Sequence, residues 1–328
     1  MEKDGEVDVS RIRANERIAW HNGRYVPESQ VLIPFRDRGV IYGDAVFDTT
    51  RSFGHRLFKV REHLDRLYRS LRYLRLDPGL SPAELAGITE EVFERNLHLL
   101  NPDEDYWISQ RITRGLTKGI DSPFEQDGPT VIVECLTLPL RQRSRHFHDG
   151  IRVVTPPSRR TPPEALSPRA KTHNYLNLIQ AEQEVRSLDP EAWAVLLDTS
   201  GNLCEGQGSN IFLVRDGELL TPRERFVLPG ISRQTVIDHA RQLEIPFREA
   251  DLDLYDALTA DEAFLTSTSL CICPVTTING QRIGHPDQVY GPVTQRLVDA
   301  YRQFVDHDFV AQYLKHLPED GANPGDRW

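Results

Sequence analysis

Lysine is scarce in this chain: of 39 basic residues only Lys3, Lys59, Lys118, Lys171 and Lys315 are lysines, and the others are arginines. Any chemistry that needs a side-chain amine is confined to those five positions. Cysteine is scarcer still; Cys135, Cys204, Cys271 and Cys273 are too few in 328 residues for a disulfide framework. The Cys271-x-Cys273 pair lacks the second pair that a zinc site needs, so both read as small core residues. No apolar run approaches the roughly 20 residues of a membrane-spanning helix, and no charged-then-apolar signal segment opens the chain. A reducing cytoplasm is the expected compartment. Positive charge is also short: 49 acidic against 39 basic residues leave a net charge of −10, which repels nucleic acid and anionic lipid. His63, His146 and His148 have no ligand spacing around them and read as structural or solvated. No metal is expected, and no Walker-type phosphate loop occurs.

What is present is ordinary globular usage, 39% hydrophobic and 27% charged, which excludes collagen-like, coiled-coil and wholly disordered classes. The length admits two domains of average size. Residues 1–14 and 317–328 are poor in apolar groups or rich in Pro, Gly and acids, and read as tails. Between them, residues 15–140 form a first α+β domain. Its expected elements are strand-like runs at Ile18–Trp20 and Phe35–Tyr42, an amphipathic helix over Arg61–Leu76, and a helix opening at Ser81. The last has a serine N-cap, Pro82 at the first helical position and Glu84 placed to close a capping box. Strands follow at Tyr106–Arg114 and Thr130–Leu138. The Arg-rich stretch Arg141–His148 reads as a loop, making 141–150 an interdomain linker, and Pro156–Pro168 reads as a second loop. Residues 151–316 form a second α+β domain with strands at Ile151–Thr155, Ala194–Asp198, Ile211–Val214 and Ala263–Leu265. Helices are expected over Asn174–Arg186 and after Gly230, with hairpin turns at Asp216-Gly217 and Asn279-Gly280.

Four lysines have poor settings for covalent work: Lys3 and Lys315 lie near the ends, Lys118 in a Gly-flanked turn, and Lys59 in a short exposed-looking stretch. Lys171 follows a proline loop and precedes Asn174-Tyr175-Leu176, at an element boundary beside aromatic and apolar groups, the setting of Schiff-base lysines. On composition alone a solvated loop lysine fits better. Downstream, however, Glu205-Gly206-Gln207-Gly208-Ser209-Asn210 puts a carboxylate before glycines that permit close backbone approach. Leu228-Pro229-Gly230-Ile231-Ser232 runs a flexible turn into a helix start suited to phosphate, and Thr266-Ser267-Thr268-Ser269 clusters hydroxyls after a strand. Each has a bland reading when taken singly, as a surface turn, a common helix start or a polar strand end.

In their order and spacing these elements resemble the class IV, or fold type IV, pyridoxal-phosphate enzymes. That family includes branched-chain and D-amino-acid aminotransferases, R-selective amine transaminases and aminodeoxychorismate lyase. The resemblance runs from about Asn22 to about Phe304 and is carried by Tyr42 to Phe47, Phe58 to Leu67, Lys171 with Asn174 to Leu176, Glu205 to Asn210, Leu228 to Ser232, and Gly291-Pro292-Val293-Thr294. It implies an α+β fold with a small N-terminal and a larger C-terminal domain and pyridoxal 5'-phosphate (PLP) between them. By the same resemblance Lys171 bonds the cofactor and shuttles the substrate proton, Glu205 pairs with the pyridine nitrogen, and Tyr175 bonds the ring's phenolate oxygen. Arg61, the Ile231 and Ser232 amides and Thr268 would hold the phosphate. The partners implied are a small-molecule amino donor, a keto acid acceptor and a second copy of the chain, as a homodimer or larger homo-oligomer.

For the substrate, Tyr42, Phe47 and Arg51 stand where branched-chain aminotransferases have a tyrosine, a phenylalanine and an arginine, although Thr49 replaces the usual glycine. Trp107 and Ser109 replace a Tyr-x-Arg pattern, which removes a carboxylate-binding cation; Ser269 is a further candidate contact. Lys118-Gly119-Ile120 stands where D-amino-acid aminotransferases have an Arg-x-His trap, which weakens that assignment. The Arg61–Leu76 helix with Leu80 to Leu85 also looks like the R-selective amine transaminases, and aminodeoxychorismate lyase would use the same cofactor grip. Branched-chain transamination is the leading expectation. A catalytically silent binding protein of the same fold is disfavoured by the joint presence of Lys171, Glu205 and Arg61.

Overall fold

The computed structural model describes residues 16–116 and 127–318, so the reading of Lys118-Gly119-Ile120, residues 1–14 and most of the C-terminal tail lie outside the described residues. The chain divides into two compact units: the residues up to Leu138 together with Lys171–His173, and Pro139–Ala170 together with the chain from Asn174 on.

In the first unit β1 (Ile18–His21) and β2 (Arg24–Pro27) form a hairpin closed by Asn22 and Gly23, both at positive φ. Then come α1 (Arg38–Tyr42), β3 (Ala45–Phe53), β4 (Arg56–Leu57), α2 (Val60–Leu74), α3 (Pro82–Asn96), β5 (Tyr106–Thr113) and β6 (Thr130–Thr137). The sheet order is β2-β1-β6-β5-β3-β4. One face is the core: Val46, Ile108, Ile112, Val131 and Val133 pack with Leu64, Leu67 and Leu71 of α2 and Leu85 and Val92 of α3. The i, i+3, i+4 leucine spacing thus does what the sequence implied. The Ser81–Glu84 capping box forms, with Glu84 Oε2 accepting from Ser81 N at 2.8 Å and Ser81 Oγ accepting from Glu84 N at 3.3 Å.

Phe35–Tyr42 is not a strand. Asp37 is fully buried; its Oδ1 accepts from Gly39 N at 2.7 Å and its Oδ2 from the Thr113 and Thr130 hydroxyls, so it caps α1, which Gly43 ends at φ 67°. The alternation of apolar residues there is spent on exposed Val40, Ile41 and Tyr42. The true strand, β3, carries Asp48, Thr50 and Ser52 on its buried face, a polar pattern that hides it from a hydropathy reading.

The second unit holds α4 (Leu140–Asp149), β7 (Ile151–Val154), α5 (Leu176–Leu188), β8 (Trp193–Leu197), β9 (Leu203–Gly206), β10 (Ser209–Arg215), β11 (Glu218–Pro222), α6 (Ile231–Gln242) and β12 (Phe247–Ala250). After these come α7 (Leu254–Leu258), β13 (Glu262–Thr266), β14 (Cys273–Ile278), β15 (Gln281–Arg282), α8 (Pro292–Val305) and α9 (Phe309–Leu314). The strand order is β12-β11-β10-β13-β14-β7-β8-β9, and β9 also pairs with β10, which closes six strands into a ring. Both expected hairpins form, at Asp216-Gly217 and Asn279-Gly280, with positive φ at all four residues.

The Arg141–His148 stretch is a helix, not a linker loop. Leu140, Ser144 and Phe147 are buried at i, i+4 and i+7, and Phe147 stacks on Tyr313 of α9 at 4.3 Å; Arg141 and Arg145 occupy the outer face, and Arg143 is half-buried. The Gly291 to Thr294 segment is likewise structural. Buried Glu262 accepts from Val293 N at 2.9 Å and Thr294 N at 2.7 Å, and a Cβ on Gly291 would lie 2.2 Å from the Glu262 carboxyl carbon. Cys271 and Cys273 are buried core residues, as their spacing suggested.

Candidate functional site

In the first unit Lys171–His173 lies along the edge of β3. Phe47 N donates to Lys171 O at 3.0 Å, His173 N donates to Ala45 O at 3.0 Å, and Val46 faces Thr172. Strand alternation then puts the Lys171 and His173 side chains on the sheet face of Phe47, away from the core. The Lys171 Nζ lies 4.5 Å from the Phe47 ring centroid, and the His173 ring packs edge-on against Phe47 at 5.2 Å. The Lys171 N–H donates to Ser70 Oγ of α2 at 3.0 Å. The one lysine with a promising sequence setting is held by both backbone edges and a helix.

Behind that edge is a buried cluster that sequence reasoning missed. Arg66 donates from Nε and Nη2 to the two oxygens of Asp48 at 2.8 and 2.7 Å, and His63 Nδ1 lies 2.8 Å from Asp48 Oδ1. Burial pushes the Asp48 carboxyl up, but the Arg66 charge and the His63 and Arg66 hydrogen bonds outweigh it and hold it well below the usual carboxylate range. Burial also lowers the His63 pKa; Asp48 opposes this, while the Arg66 and Lys171 charges add to it. His63 thus shares one neighbourhood with Arg66 and Lys171. Its signal in the sequence is the polar stripe His63, Arg66, Ser70 at i, i+3 and i+7, running beside the leucine stripe of α2.

Arg61 is elsewhere. Five residues before Arg66, and so about 140° around the helix, it is exposed and lines a groove of about 530 Å³ with Lys59, Glu62, Glu90 and Glu94. The arginine of α2 in the neighbourhood of Lys171 is Arg66. Arg51 shares the β3 face of Phe47 by strand alternation but is buried. It is 1% exposed, its guanidinium lies 4.0 Å from the Phe53 ring, and its Nη2 is 3.8 Å from an oxygen of buried Asp105. Tyr42 ends α1 and is 65% exposed beneath the Arg38 guanidinium. Trp107 is half-buried on β5 opposite Arg51, and Thr49 and Ser109 face each other with hydroxyls 2.9 Å apart.

In the second unit Glu205 sits on β9, 5% exposed. Its Oε1 accepts from Arg160 Nε at 3.0 Å and its Oε2 from Leu228 N at 2.8 Å. Asn210 donates from Nδ2 to Leu228 O at 3.0 Å, and a Cβ on Gly230 would fall 2.2 Å from Asn210 Oδ1. The carboxylate, the asparagine and the Pro-Gly turn, read separately in the sequence, are one locked assembly at the start of α6. Arg160, from the proline-rich loop, is the member that sequence reasoning missed, because nothing in a run of Arg and Pro distinguishes one arginine. The glycines serve the fold rather than a ligand: a Cβ on Gly206 would lie 2.6 Å from Ala194 O, and Gly208 turns the β9–β10 hairpin at φ 80°.

Ile231 and Ser232 open α6, where first-turn N–H groups have no helical acceptor. Ser232 Oγ donates to Ser267 O at 2.9 Å, tying the helix start to the turn that carries half-buried Thr268. Ser269 is held by the fold: its hydroxyl accepts from Arg143, its carbonyl accepts from Tyr313 OH at 2.8 Å, and it is buried. Tyr175 stands at the N-terminus of α5, packed against Leu178 and its neighbours. The buried hydroxyls of Ser209 and Thr266, either side of the β10–β13 pairing, find no hydrogen-bond partner among the described residues.

Residues 45–278 match the family model described as amino-transferase class IV. The chain is 35% identical over 283 residues to a putative branched-chain-amino-acid aminotransferase of Methanocaldococcus jannaschii, covering 86% of this chain and 94% of that protein. It is 27% identical to a D-alanine aminotransferase of Staphylococcus haemolyticus, covering 87% and 96%. Among solved structures it resembles the branched-chain aminotransferase of Thermoproteus uzoniensis with norvaline at TM-score 0.79 and 28% identity, covering 92% and 98%. It also resembles the branched-chain amino acid aminotransferase of Thermobaculum terrenum in its PLP-form, at TM-score 0.78 and 25% identity, covering 93% and 99%. The family model and the similar chains define an aminotransferase. The chain belongs to the class IV aminotransferase family.

Proposed function

We propose that this chain is a PLP-dependent transaminase that moves an amino group from an amino acid to a keto acid, most like the branched-chain aminotransferases. The observation that carries the reading is Lys171, which among the described residues is fixed along β3 with its amine against Phe47. The donor set fits the cofactor. A lysine amine suits its aldehyde, a buried carboxylate its ring nitrogen, a helix start and a buried arginine its phosphate, and the unpartnered hydroxyls of Ser209 and Thr266 are those of a polar, water-poor setting.

Lys171 Nζ would hold the cofactor and take the proton from the amino-bearing carbon of the donor. The bound cofactor supplies the electron sink for that proton loss. Glu205 would keep the ring nitrogen protonated; each carboxylate oxygen already accepts one bond and has a second lone pair for a ring N–H. Tyr175 would bond the ring's phenolate oxygen. The Ile231 and Ser232 amides and Thr268 would offer donors to the phosphate in the second unit; in the first, Arg66 is the buried arginine of α2 and stands beside Arg61 as a candidate for that role. A buried guanidinium already oriented by Asp48 loses little freedom on binding an anion. Phe47 and Trp107 offer apolar surface to a branched side chain, and Tyr42 remains a proposed contact.

Leu32, Ile33, Phe35, Val40, Ile41 and Tyr42, each 43–74% exposed in one stretch, support a homodimer in which this patch is covered. A cytoplasmic location fits the four cysteines, all buried and none in a disulfide. The D-alanine aminotransferase relatives favour one second reading, a D-amino-acid donor. The test is direct. Purified protein with added PLP should absorb visible light, bleach with an amino donor and regain colour with a keto acid, and a panel of L- and D-donors separates the two readings. A protein that stays colourless and inactive with every donor overturns the proposal.

A further inference from the structure

Between β13 and β14 the chain makes a tight turn, and three helices of the second unit hold it. Cys271 N donates to Ser267 O at 2.9 Å, Leu270 N donates to Ser267 Oγ at 3.0 Å, and Cys271 itself takes the left-handed conformation at φ 57°. Ser232 Oγ of α6 donates to the same Ser267 carbonyl at 2.9 Å, which fills both of its lone pairs. From α9 the Tyr313 hydroxyl donates to Ser269 O at 2.8 Å. From α4 Arg143 donates to Ser269 Oγ, which lies 3.2 Å from Ser267 Oγ. Thr268 sits between the two linked serines, so its backbone is held on either side.

Arg143 is the charged member of this set, and neither the sequence reading nor the family match gives it a part. It is half-buried, between exposed Arg141 and Arg145. Its guanidinium lies 5.5 Å from the Trp193 ring centroid, and the Trp193 indole N–H is pinned on His146, three residues further along α4. An arginine packed on an aromatic face keeps its planar fork in one orientation. Its charge reaches into the fold, where it opposes the burial that raises the Cys273 thiol at the start of β14. The contact with Ser269 is with a neutral hydroxyl, which cancels none of that charge and is polarised by it. A dianion at Thr268 and the start of α6 would meet a turn already held in place and backed by a positive charge.

We propose that Arg143 is a positioning residue for the cofactor phosphate. By holding the Ser269 hydroxyl it locks the link from Ser269 to Ser267, and so keeps Thr268 and the Ile231 and Ser232 amides in one geometry before the phosphate arrives. Arg143 acts through Ser269 and touches neither phosphate nor substrate. This rests on the PLP reading above and adds to it the residue that pre-organises one side of the site. Donors held in advance lose less freedom on binding, so the gain lies in affinity for the phosphate.

The experiment titrates the full chain with PLP and with pyridoxal, which has the same aldehyde and ring but no phosphate. The visible band is followed in wild type, Arg143→Met, Ser269→Ala and the double variant, and phosphorus NMR of bound PLP gives a readout that needs no turnover. In Arg143→Met, Kd for PLP should rise about 10-fold, the worth of a hydrogen bond to a charged group. Kd for pyridoxal should change less than about 2-fold, and the phosphorus resonance should shift. Ser269→Ala keeps the Arg143 charge and removes only the contact, so it separates positioning from a bare field effect. It should lose as much PLP affinity as Arg143→Met, and the double variant no more than either alone, as for two residues acting through one contact. Equal losses for PLP and pyridoxal, unchanged PLP affinity in Ser269→Ala, an unshifted phosphorus resonance or additive losses in the double variant overturn the assignment. If Arg143→Met fails to fold, Ser269→Ala against the two ligands decides alone. A wild type that binds neither PLP nor pyridoxal instead overturns the transaminase reading, so the two failures are distinct.

Discussion

The two units carry their polar groups differently. In the second, Glu205, Arg160, Asn210 and the Leu228 turn form a buried assembly in which each carboxylate oxygen has a donor and the turn is held from both sides. In the first, the face around Lys171 is half-open, with Arg111 and Glu134 paired at the surface and Phe47 and Trp107 partly exposed. A closed, satisfied network suits a group that stays bound. An open face with one exchangeable ion pair suits molecules that come and go. The second unit thus offers a closed carboxylate network, and the first an open face that carries Lys171, backed by the buried Asp48–Arg66–His63 cluster.

Four perturbations break or sharpen that contrast, from the largest effect down. Lys171→Ala should lower kcat by about 10⁴-fold, since it removes the amine proposed to carry the proton, and should abolish the visible band; single-turnover spectroscopy checks both. Glu205→Gln keeps the shape of the buried assembly but removes its charge, and should reduce kcat about 10²- to 10³-fold with PLP still bound, which steady-state kinetics and cofactor titration would separate. Asp48→Asn leaves the Arg66 charge buried without its counter-ion and should cost about 3–5 kcal/mol of stability, read by denaturant titration. Arg61→Ala, at an exposed site, should change stability by no more than about 0.5 kcal/mol.

Acid should act through histidines. His146 accepts the Trp193 indole N–H at 3.2 Å on its Nε2, and burial, then the Arg143 and Arg152 charges, push its pKa down to about 4; His173 is pushed down to about 4 in the first unit. Below the unfolded value of about 6.5 the unfolded chain binds protons that the folded chain refuses, so stability falls as pH drops from about 6.5 to 4. Asp48, held low in the folded state, keeps its contribution throughout that window and loses it only at stronger acid. The unfolding free energy should fall by an amount of order 1 kcal/mol per histidine at pH 5; thermal midpoints between pH 7 and 4 should decline with it, and His146→Gln should flatten the decline.

Much of this was legible in the sequence, for identifiable reasons. The leucine stripe of α2, the Ser81–Glu84 box, the two Asx-Gly hairpins and the helix start after Gly230 each depend on residues within a few positions of one another. Lys171 and Glu205 stood out because lysine is rare and glycines flank the glutamate. What stayed hidden depends on long-range partners. Strand β3 looked polar because Asp48 is neutralised by Arg66, 18 residues away. The arginine-rich stretch of α4 looked like a loop because its packing partner is Tyr313 of α9. Arg61 and Arg66 share one matched segment, and only the helix phase fixed by Asp48 separates the exposed one from the buried one.

The central claim is that the amine at residue 171 carries the chemistry. Borohydride reduction of the PLP-loaded protein, followed by peptide mass spectrometry, tests it most directly: the account predicts a phosphopyridoxyl adduct on Lys171 and on no other lysine. An adduct on Lys59, Lys118 or another amine, or no adduct in a protein that transaminates, would contradict it.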